Sequence, residues 1–340
     1  MAYTDIDKSD DYFNTVSYTG NATAGRALDV GFATDWFWVK ERNGANVHYA
    51  TDSVRGALKG LQPDSSDAES TFDSVRSFTS TGVTVGTSAT TNQSNNYVAW
   101  NWLAGGSASS NSDGSITSTV SANTTSGFSI IGYTGTGSNA TVGHGLNSAP
   151  EMVIIKQRNA SGQSWCTFHT AMGAQKFMDL NTSGGQNTGS TRYTSVPSST
   201  VLNLGNSDAV NKSSSTYIGY AFHSVKGYSK IGSYVGNGSS DGTFVYTGFK
   251  PAWLMVKRFD GTGQWFMFDN KRLGYNSENY RLIADVTGSE ADPGQMELLS
   301  NGVKWRFTSS NVNGSGSDYL YLAFAENPFV TSTGIPGLAR

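Results

Sequence analysis

Five side chains in this sequence are candidates for contact with sugars, and four of them form two Asp-x-x-Arg pairs. Asp52 lies three residues before Arg55, and Asp269 lies three residues before Arg272. Carboxylate and guanidinium groups hydrogen-bond hydroxyls, and the indole of a tryptophan offers an apolar face on which a sugar ring can stack. We therefore treat Trp165, Asp52, Arg55, Asp269 and Arg272 as candidate glycan contacts. The alternatives are an exposed local ion pair, which contributes roughly 0.2–1 kcal/mol, and a place in the core for Trp165.

A histidine interrupts this pattern, and a lysine is the more regular feature. The chain contains three copies of a long sequence repeat, in which His169 occupies the position that corresponds to Asp52 and Asp269. The three copies therefore cannot share one carboxylate chemistry. The lysine recurs at the end of an apolar segment. A basic rim of this kind could bind an acidic glycan, but we favour a strand end that reaches water while the lysine stem packs on the sheet. The three lysines are Lys40, Lys156 and Lys257.

Other reactive side chains do not form a recognisable centre. The single cysteine, Cys166, lies in "SWCTFH", which is typical of a small buried hydrophobic side chain. No two histidines have the spacing of zinc ligands, and no pair of carboxylates indicates glycosidase chemistry. We therefore predict no catalytic residue, no cofactor and no metal ion. The histidines are His48, His144, His169 and His223.

The composition indicates many short strands joined by polar turns. Charged residues make up 14% and aromatic residues 12% of the chain, and 40 of the 340 residues are glycine. Glycine and short polar residues favour turns, whereas aromatic and β-branched residues favour strands. The net charge of −3 argues against nucleic acid as a partner. No apolar run approaches the roughly 20 residues of a membrane span, and the first residues do not resemble a signal peptide, so we expect synthesis in the cytoplasm without membrane insertion.

A long internal repeat organises the sequence. An opening of the form Tyr-x-Gly begins at Tyr18, Tyr133 and Tyr234, and in each copy an apolar segment reaches the recurring lysine 22 or 23 residues later. A glycine-terminated segment and an aromatic closing segment follow in the same order. A repeat of roughly 100 residues is long enough to hold a core of its own. We name three residue ranges accordingly: module one with an N-terminal attachment segment (1–106), module two with a preceding linker (107–226), and module three with a C-terminal extension (227–340).

Each module is predicted to be a β-sandwich. In "DWFWVKER" the alternation places Trp36 and Trp38 on one face of a strand and Phe37 and Val39 on the other. The closing segments have the same two-faced pattern and little helical periodicity, which is typical of antiparallel sheets packed face to face. The Ser/Thr/Asn/Gly-rich stretch 105–127 is expected to be a linker between modules that are joined like separate beads. The side chains expected to be buried include Trp38, Trp100, Ile154 and Tyr220.

Several stretches of the chain carry a likeness to a known family. They include "MAYTDIDKSDDYFNTVSYTGN", "NYVAWNWLAGG", "GSITSTVSANTTSGFSIIGYTGTGSNATVGHGL", "DGTFVYTGFKPAWLMVKR" and "YLAFAENPFVTSTGIPGLAR". These stretches resemble repeat-containing virion proteins of tailed phages of marine and aquatic bacteria, which are described as tail-fibre-like or structural proteins. The resemblance covers nearly the whole chain and implies modules similar to concanavalin-like or SPRY-like recognition sandwiches. The expected fold is therefore all-β, with three tandem concanavalin/SPRY-like β-sandwich modules.

The resemblance implies a non-enzymatic virion protein. A tail fibre or spike component that contacts host surface glycans is the first hypothesis, a capsid decoration or cement protein on the phage head is the second, and a glycan depolymerase is the third. Other virion proteins are the expected partners, and the virion, assembled in the host cytoplasm, is the expected location. Both chain ends lack apolar periodicity and are expected to lie against module three or a neighbouring subunit. Because tethering strengthens weak sites, we expect a homo-oligomer, with a trimer favoured.

Overall fold

The computed structural model describes residues 3–272, 279–291 and 296–336, and its regular structure is almost entirely strand. The larger sheets pair their strands antiparallel. The predicted all-β class is therefore confirmed. The helical segments within this part of the chain are the 3-10 turns Ser9–Asp11 and Thr170–Met172 and the α-helical turn Asp208–Asn211.

Module one contains two sheets and a short hairpin. Its strands are β1 (Phe13–Thr19), β2 (Arg26–Asp29), β3 (Trp36–Glu41), β4 (Tyr49–Asp52), β5 (Lys59–Gly60), β6 (Ser70–Thr71), β7 (Val75–Thr79), β8 (Gly82–Val85) and β9 (Asn96–Trp102). The larger sheet has the order β1-β9-β3-β4, the smaller sheet has the order β2-β8-β7, and β5 pairs with β6.

Module two contains an eight-stranded sheet and a two-stranded sheet. Its strands are β10 (Ser109–Asn111), β11 (Ser118–Asn123), β12 (Phe128–Thr134), β13 (Ala140–Gly143), β14 (Met152–Gln157), β15 (Cys166–His169), β16 (Lys176–Asp179), β17 (Asn187–Thr188), β18 (Val201–Leu204) and β19 (Thr216–Phe222). The larger sheet has the order β10-β11-β12-β19-β14-β15-β16-β17, and β13 pairs with β18.

Module three contains a five-stranded sheet and a three-stranded sheet in its described residues. Its strands are β20 (Ser229–Val235), β21 (Phe244–Tyr246), β22 (Phe249–Arg258), β23 (Phe266–Asp269), β24 (Leu282–Ile283), β25 (Met296–Leu299), β26 (Gly302–Trp305) and β27 (Asp318–Pro328). The larger sheet has the order β20-β27-β22-β23-β24, and the smaller has the order β21-β26-β25.

The same strand order recurs in the three larger sheets because the sequence repeats. Each contains four equivalent strands in the same spatial order: the opening strand with the Tyr-x-Gly motif, the closing aromatic strand, the central strand with the recurring lysine, and the middle strand that follows the central strand in sequence. The three orders are β1-β9-β3-β4, β12-β19-β14-β15 and β20-β27-β22-β23. The pairing register of the central and closing strands also recurs, so equivalent residues can be compared position by position. Equivalent cross-strand pairs are Trp36–Trp102, Met152–Phe222 and Trp253–Phe324.

One face of each larger sheet packs on the smaller sheet of the same module. In module one, Phe37 and Val39 of β3 belong to a buried cluster with Val83 and Val85 of β8. Modules two and three have corresponding clusters of their own. Each residue range therefore has the apolar interior that two facing sheets require.

The other face of each larger sheet packs into one core that all three modules share. The ring centroids of Trp36 in module one and Tyr220 in module two are 4.3 Å apart, and those of Trp102 and Trp253 in module three are 5.6 Å apart. One continuous buried cluster contains residues of all three modules. The expectation of separate beads is therefore wrong. The central strands are apolar on both faces, and since a smaller sheet covers only one face, the neighbouring modules must cover the other.

The tryptophans lie in these cores. Each of the eight is at most 2% exposed. The predicted burial of Trp38, Trp100, Ile154 and Tyr220 is confirmed. Aromatic residues thus make the core of a chain that is otherwise rich in small polar residues.

The stretch predicted as a linker, 105–127, contains two strands. β11 pairs with β12, and β10 pairs with β11, which extends the larger sheet of module two. Val120 and Ser118 of β11 are buried and alternate with exposed Thr119. The linker prediction is therefore wrong, because a composition of short polar residues hid a period-two pattern with few apolar side chains.

The N-terminal segment packs against module three. Ile6 is 2% exposed and belongs to the shared core. The Tyr3 hydroxyl donates a hydrogen bond of 2.6 Å to the Gly248 carbonyl, and the backbone N–H of Ser332 donates one of 2.6 Å to Asp7. The two ends of the described chain are thus in contact.

Candidate functional site

Asp52 and Arg55 form a buried ion pair at the contact between modules one and two. β4 ends at Asp52, and the following turn places Nε of Arg55 at 2.5 Å from Oδ2 of Asp52. The same carboxylate oxygen accepts a hydrogen bond of 2.7 Å from the Tyr220 hydroxyl of module two. A second carboxylate, that of Glu69, lies 3.2 Å from Nη1 of Arg55. Each charge has a partner, as burial of charged groups requires.

Asp269 and Arg272 repeat this arrangement between modules three and one. Nε of Arg272 lies 2.6 Å from Oδ2 of Asp269, and both side chains are buried. The indole N–H of Trp100 in module one donates a hydrogen bond of 3.0 Å to the same oxygen. Trp100 and Tyr220 occupy equivalent positions of their closing strands. In both contacts, therefore, the closing strand of the next module supplies the donor.

The third contact, between modules two and three, has neither the aspartate nor the donor. His169 replaces the aspartate, and Leu322 stands at the position of the donor. Nδ1 of His169 accepts a hydrogen bond of 3.0 Å from the Ala171 N–H, and Nε2 lies 3.5 Å from the Tyr321 carbonyl oxygen. Burial lowers the pKa of His169 to about 4, so the ring is neutral at pH 7. The two replacements, His169 for the aspartate and Leu322 for the donor, fit each other. An aspartate in place of His169 would be a buried charge that lacks the donor of the other two contacts.

Trp165 joins module two to module one. Its indole N–H donates hydrogen bonds of 2.9 and 3.1 Å to the backbone carbonyls of Gln62 and Ser65. Trp265 and His48, which lie at the equivalent position of modules three and one, form the same kind of hydrogen bond with a carbonyl of another module. Trp165 is thus one of three equivalent contacts that hold neighbouring modules together.

The five candidate glycan contacts all lie inside the molecule, with exposed fractions of 0 to 8%. Their burial does not fit glycan contact, since their hydrogen-bonding groups are already paired inside the molecule. The alternative of exposed ion pairs is wrong, because both pairs are buried. Periodicity identified the strand ends but not the neighbouring module that covers them. The five residues are Trp165, Asp52, Arg55, Asp269 and Arg272.

The recurring lysines are also buried, so the prediction of strand ends in water is wrong. Lys40, Lys156 and Lys257 are each 0% exposed. Each Nζ donates to the backbone carbonyl of the following residue. Lys156 also donates to Ser66 of module one, and Lys257 to Ser183 of module two. Burial lowers the pKa of all three to about 8. These ammonium groups satisfy backbone carbonyls inside the molecule and do not form a basic rim.

Ion pairs nearer the surface strengthen two of the module contacts. Glu69 of module one lies 2.9 Å from Nε of Arg158 in module two. Glu290 of module three lies 2.9 Å from Nη2 of Arg42 in module one. Phe259 occupies the equivalent position in module three, where the arginine of the sequence repeat is shifted to Arg258, which lies 2.7 Å from Asp260.

A pocket of about 250 Å³ opens between modules one and three. The start of β1, the residues after β23 and the end of β27 form its walls. Most lining side chains carry amide, hydroxyl or charged groups. We call this site the polar pocket; its lining residues are Asp10, Phe13, Asn14, Thr15, Ala252, Asn270, Lys271, Ala325, Glu326 and Asn327.

Two buried polar atoms that line the polar pocket have no hydrogen-bond partner in the described part of the chain. They are Oγ1 of Thr15 and Oδ1 of Asn270, and Thr15 is only 4% exposed. An unsatisfied buried group of this kind costs about 1–3 kcal/mol. Glu326, in contrast, is paired with Lys250 at 2.7 Å. The polar pocket therefore offers unused hydrogen-bonding groups to a small polar ligand, a site that no sequence pattern indicated.

A second pocket, of about 310 Å³, lies where the N-terminal segment meets the junction of modules two and three. Two tyrosines and two lysines contribute most of its chemistry. We call it the tyrosine pocket; its lining residues are Tyr3, Ser224, Lys226, Gly227, Ser229, Lys230, Tyr246, Thr247 and Gly248.

The remaining reactive groups are inaccessible or isolated. Cys166 is fully buried, and burial raises the pKa of its thiol to about 12, so the thiol is not activated. In residues 3–272, 279–291 and 296–336, no group of three or more His, Cys, Asp or Glu side chains could hold a metal ion. The same residues include no helix with the length and hydropathy of a membrane span.

Comparison with known proteins identifies one family. No curated protein and no solved structure matches the chain. The sequence profile of a family described as Domain of unknown function (DUF7483) matches residues 8–328, which include most of all three modules. The chain therefore belongs to the DUF7483 family.

Proposed function

We propose that the protein is a non-enzymatic structural component of a phage virion, of the tail-fibre or spike type, which contacts glycans on the host surface. The polar pocket is the observation that carries the binding part of this proposal, because Thr15 and Asn270 leave buried hydrogen-bonding groups unused there. The assignment to a virion rests on the resemblance of the sequence to repeat-containing virion proteins.

Sugar hydroxyls suit the chemistry of the polar pocket. Each hydroxyl donates one hydrogen bond and can accept two, and amide side chains offer both a donor and an acceptor. The side chains of Asn14, Asn270 and Asn327 line the pocket together with Thr15. A neutral monosaccharide unit is the proposed ligand of this pocket.

The architecture is consistent with a structural role. The shared aromatic core and the buried ion pairs at the module contacts resist relative movement of the modules. A rigid body of this kind holds a weak site in a constant orientation, so that neighbouring copies can bind together and gain avidity.

The finer fold assignment belongs to the same proposal. We infer three tandem concanavalin/SPRY-like β-sandwich modules at 1–106, 107–226 and 227–340. The recurring strand order and the pair of sheets in each range support this assignment.

Other virion proteins are the proposed partners, and a homo-oligomer, with a trimer favoured, is the proposed assembly. The virion is the proposed location. Light scattering on the purified protein tests the assembly. A strict monomer at high concentration, unchanged when either terminus is deleted, would contradict it.

A glycan array with purified protein tests the binding function. We expect the wild-type chain to bind neutral glycans, Asn270→Ala to lose most of this binding, and no sugar to be released. The matched control is Asn187→Ala, which removes an exposed amide outside the pocket and should bind as the wild type does. Absence of binding by the wild type, or equal binding by both variants, would refute the proposed glycan contact.

Labelling of phage particles with an antibody against the protein tests the position on the virion. Label on the tail is expected. Label confined to the head would instead support a capsid decoration protein, and particles without label would contradict the virion assignment.

Glycoside hydrolysis is a second candidate, because two carboxyl groups, those of Asp10 and Glu326, line the polar pocket. Hydrolysis of glycosidic bonds uses two carboxyl groups on either side of the bond. Release of reducing sugar from a bound glycan, abolished by Asp10→Asn or Glu326→Gln, would favour a depolymerase over the non-enzymatic proposal.

A further inference from the structure

The tyrosine pocket differs from the polar pocket in charge. Lys226 and Lys230 line it, and no side chain among its lining residues is acidic. Neither lysine is paired with a carboxylate in the described part of the chain. In a protein with a net charge of −3, two neighbouring ammonium groups without acidic partners form a local site for an anion.

Two aromatic rings also line the tyrosine pocket. Nζ of Lys226 lies 4.7 Å from the ring centroid of Tyr3, and the Tyr3 hydroxyl is anchored by its hydrogen bond to the Gly248 carbonyl. Tyr246 is 55% exposed, although it is a large aromatic residue. An exposed ring beside a cationic group offers a stacking surface and a charge to the same ligand.

Gly248 allows the two tyrosine hydroxyls to converge on the wall of the pocket. Its backbone has φ +84°, a conformation that favours glycine. A side chain at this position would begin 3.1 Å from the Tyr3 hydroxyl and 3.6 Å from the Tyr246 hydroxyl. Burial and the neighbouring Tyr246 hydroxyl raise the pKa of Tyr3 to about 12, so Tyr3 remains a neutral hydroxyl at pH 7.

We propose that the tyrosine pocket binds an acidic saccharide unit, whose carboxylate or sulfate group lies between Lys226 and Lys230 and whose ring packs on Tyr246. The choice of a saccharide rests on the proposed function, whereas the location and the charge of the site do not. The polar pocket, which carries Asp10 and Glu326, is unsuited to such a ligand. The polar pocket therefore suits neutral sugar units, and the tyrosine pocket suits acidic ones.

Calorimetric titration with defined oligosaccharides tests the inference. The probes are oligogalacturonate, its methyl ester, which has the same rings without the charge, and a sulfated dextran oligosaccharide. We expect at least one anionic probe to bind the wild-type chain and the methyl ester to bind at least about tenfold more weakly. Tighter binding of the sulfated probe identifies sulfate as the recognised group, and tighter binding of oligogalacturonate identifies carboxylate.

Variants of the full chain locate the site. The double variant Lys226→Gln/Lys230→Gln should lose about tenfold or more in affinity for the anionic probe, and Tyr246→Ala should weaken it as well. Lys212→Gln is the matched control, because Lys212 is an exposed lysine of module two outside the pocket. Circular dichroism and the melting temperature of each variant confirm folding, which substitutions at the exposed Lys226 and Tyr246 and at the half-buried Lys230 should not disturb.

Three results would overturn the inference: no binding of either anionic probe to the wild type, binding of the methyl ester as tight as that of the better anionic probe, or unchanged affinity in the double lysine variant. The Asn270→Ala experiment at the polar pocket separates this failure from that of the proposed function. Neutral glycan binding that depends on Asn270, without acidic binding at the tyrosine pocket, would leave the proposed function intact and refute only the inference.

Discussion

Asp52 shows at the residue scale what burial does to an ordinary ion pair. We expect Asp52→Ala to lower the free energy of unfolding by about 3–5 kcal/mol, because it removes the closest partner of the buried Arg55 guanidinium. Urea unfolding measures the change. The control is Asp11→Ala, which removes an exposed partner of Lys8 at the same sequence spacing and should leave the unfolding midpoint nearly unchanged. Equal effects of the two substitutions would contradict the buried contact.

Thr15 links stability to ligand binding. Thr15→Val removes a buried hydroxyl that has no partner in the described chain, so we expect the free energy of unfolding without ligand to rise by about 1 kcal/mol. The same change should weaken sugar binding at the polar pocket about fivefold. Thermal unfolding and glycan titration provide the two measurements. A variant with lower stability and unchanged binding would indicate that the hydroxyl is already satisfied in the free protein.

His169 makes the stability depend on pH. The folded ring has a pKa of about 4 and the free side chain one of 6.5, so the unfolded state binds the additional proton between these values. The stabilising contribution is complete above pH 6.5 and is lost as the pH falls towards 4. At pH 5 the loss is about 2 kcal/mol. His169→Asn keeps an acceptor for Ala171 and removes this dependence, so the stability difference between the two proteins should change from pH 7 to pH 5. Parallel pH profiles would refute the assignment.

Among elements, β11 illustrates how a strand with few apolar residues is recognised only in its sheet. We expect Val120→Ala to lower the free energy of unfolding by about 1–2 kcal/mol, because Val120 lies in the buried cluster between the two sheets of module two. Thr119 of the same strand points to solvent, so Thr119→Ala should leave the free energy of unfolding almost unchanged. Urea unfolding of both variants distinguishes a packed strand from a linker, in which neither substitution would matter.

The closing strands illustrate how two elements change together. β9 and β19 each present a hydrogen-bond donor, Trp100 or Tyr220, to an aspartate at the end of a middle strand. In β27 the equivalent residue is Leu322, and the position of the aspartate is occupied by His169. In the sequence repeat, His169 is a visible departure from the aspartate of the other two copies. The sequence gives no indication that the replacement by Leu322 is related to it, since the two residues belong to different modules.

At the scale of the whole molecule, the shared core predicts one cooperative unfolding transition. Tryptophan fluorescence and far-ultraviolet circular dichroism should change together in urea, because residues of all three modules belong to one buried cluster. Trp102→Ala should lower the free energy of unfolding by about 3–5 kcal/mol and preserve the single transition. Two or three separate transitions would mean that the modules unfold independently.

The three module contacts form a closed ring within one chain. Module one contacts module two through Asp52, module two contacts module three through His169, and module three contacts module one through Asp269. The three contacts are equivalent in position but not in chemistry. A repeated sequence has thus produced an approximately threefold arrangement inside a single polypeptide, while the homo-oligomer remains a prediction.

The sequence by itself determined the all-β class, the position of the repeated strands and the burial of residues such as Trp38 and Ile154. These properties follow from alternation along a strand and from the order of segments, which are local. Only the tertiary structure decided what covers the second apolar face of each larger sheet, because that partner is another module. Tyr220 meets Asp52 across 168 positions of the chain, and no spacing within one segment encodes such a contact. For the same reason the lysines at the strand ends, which the local pattern predicts to lie in water, are buried hydrogen-bond donors. Both pockets likewise lie between segments that are far apart in the sequence.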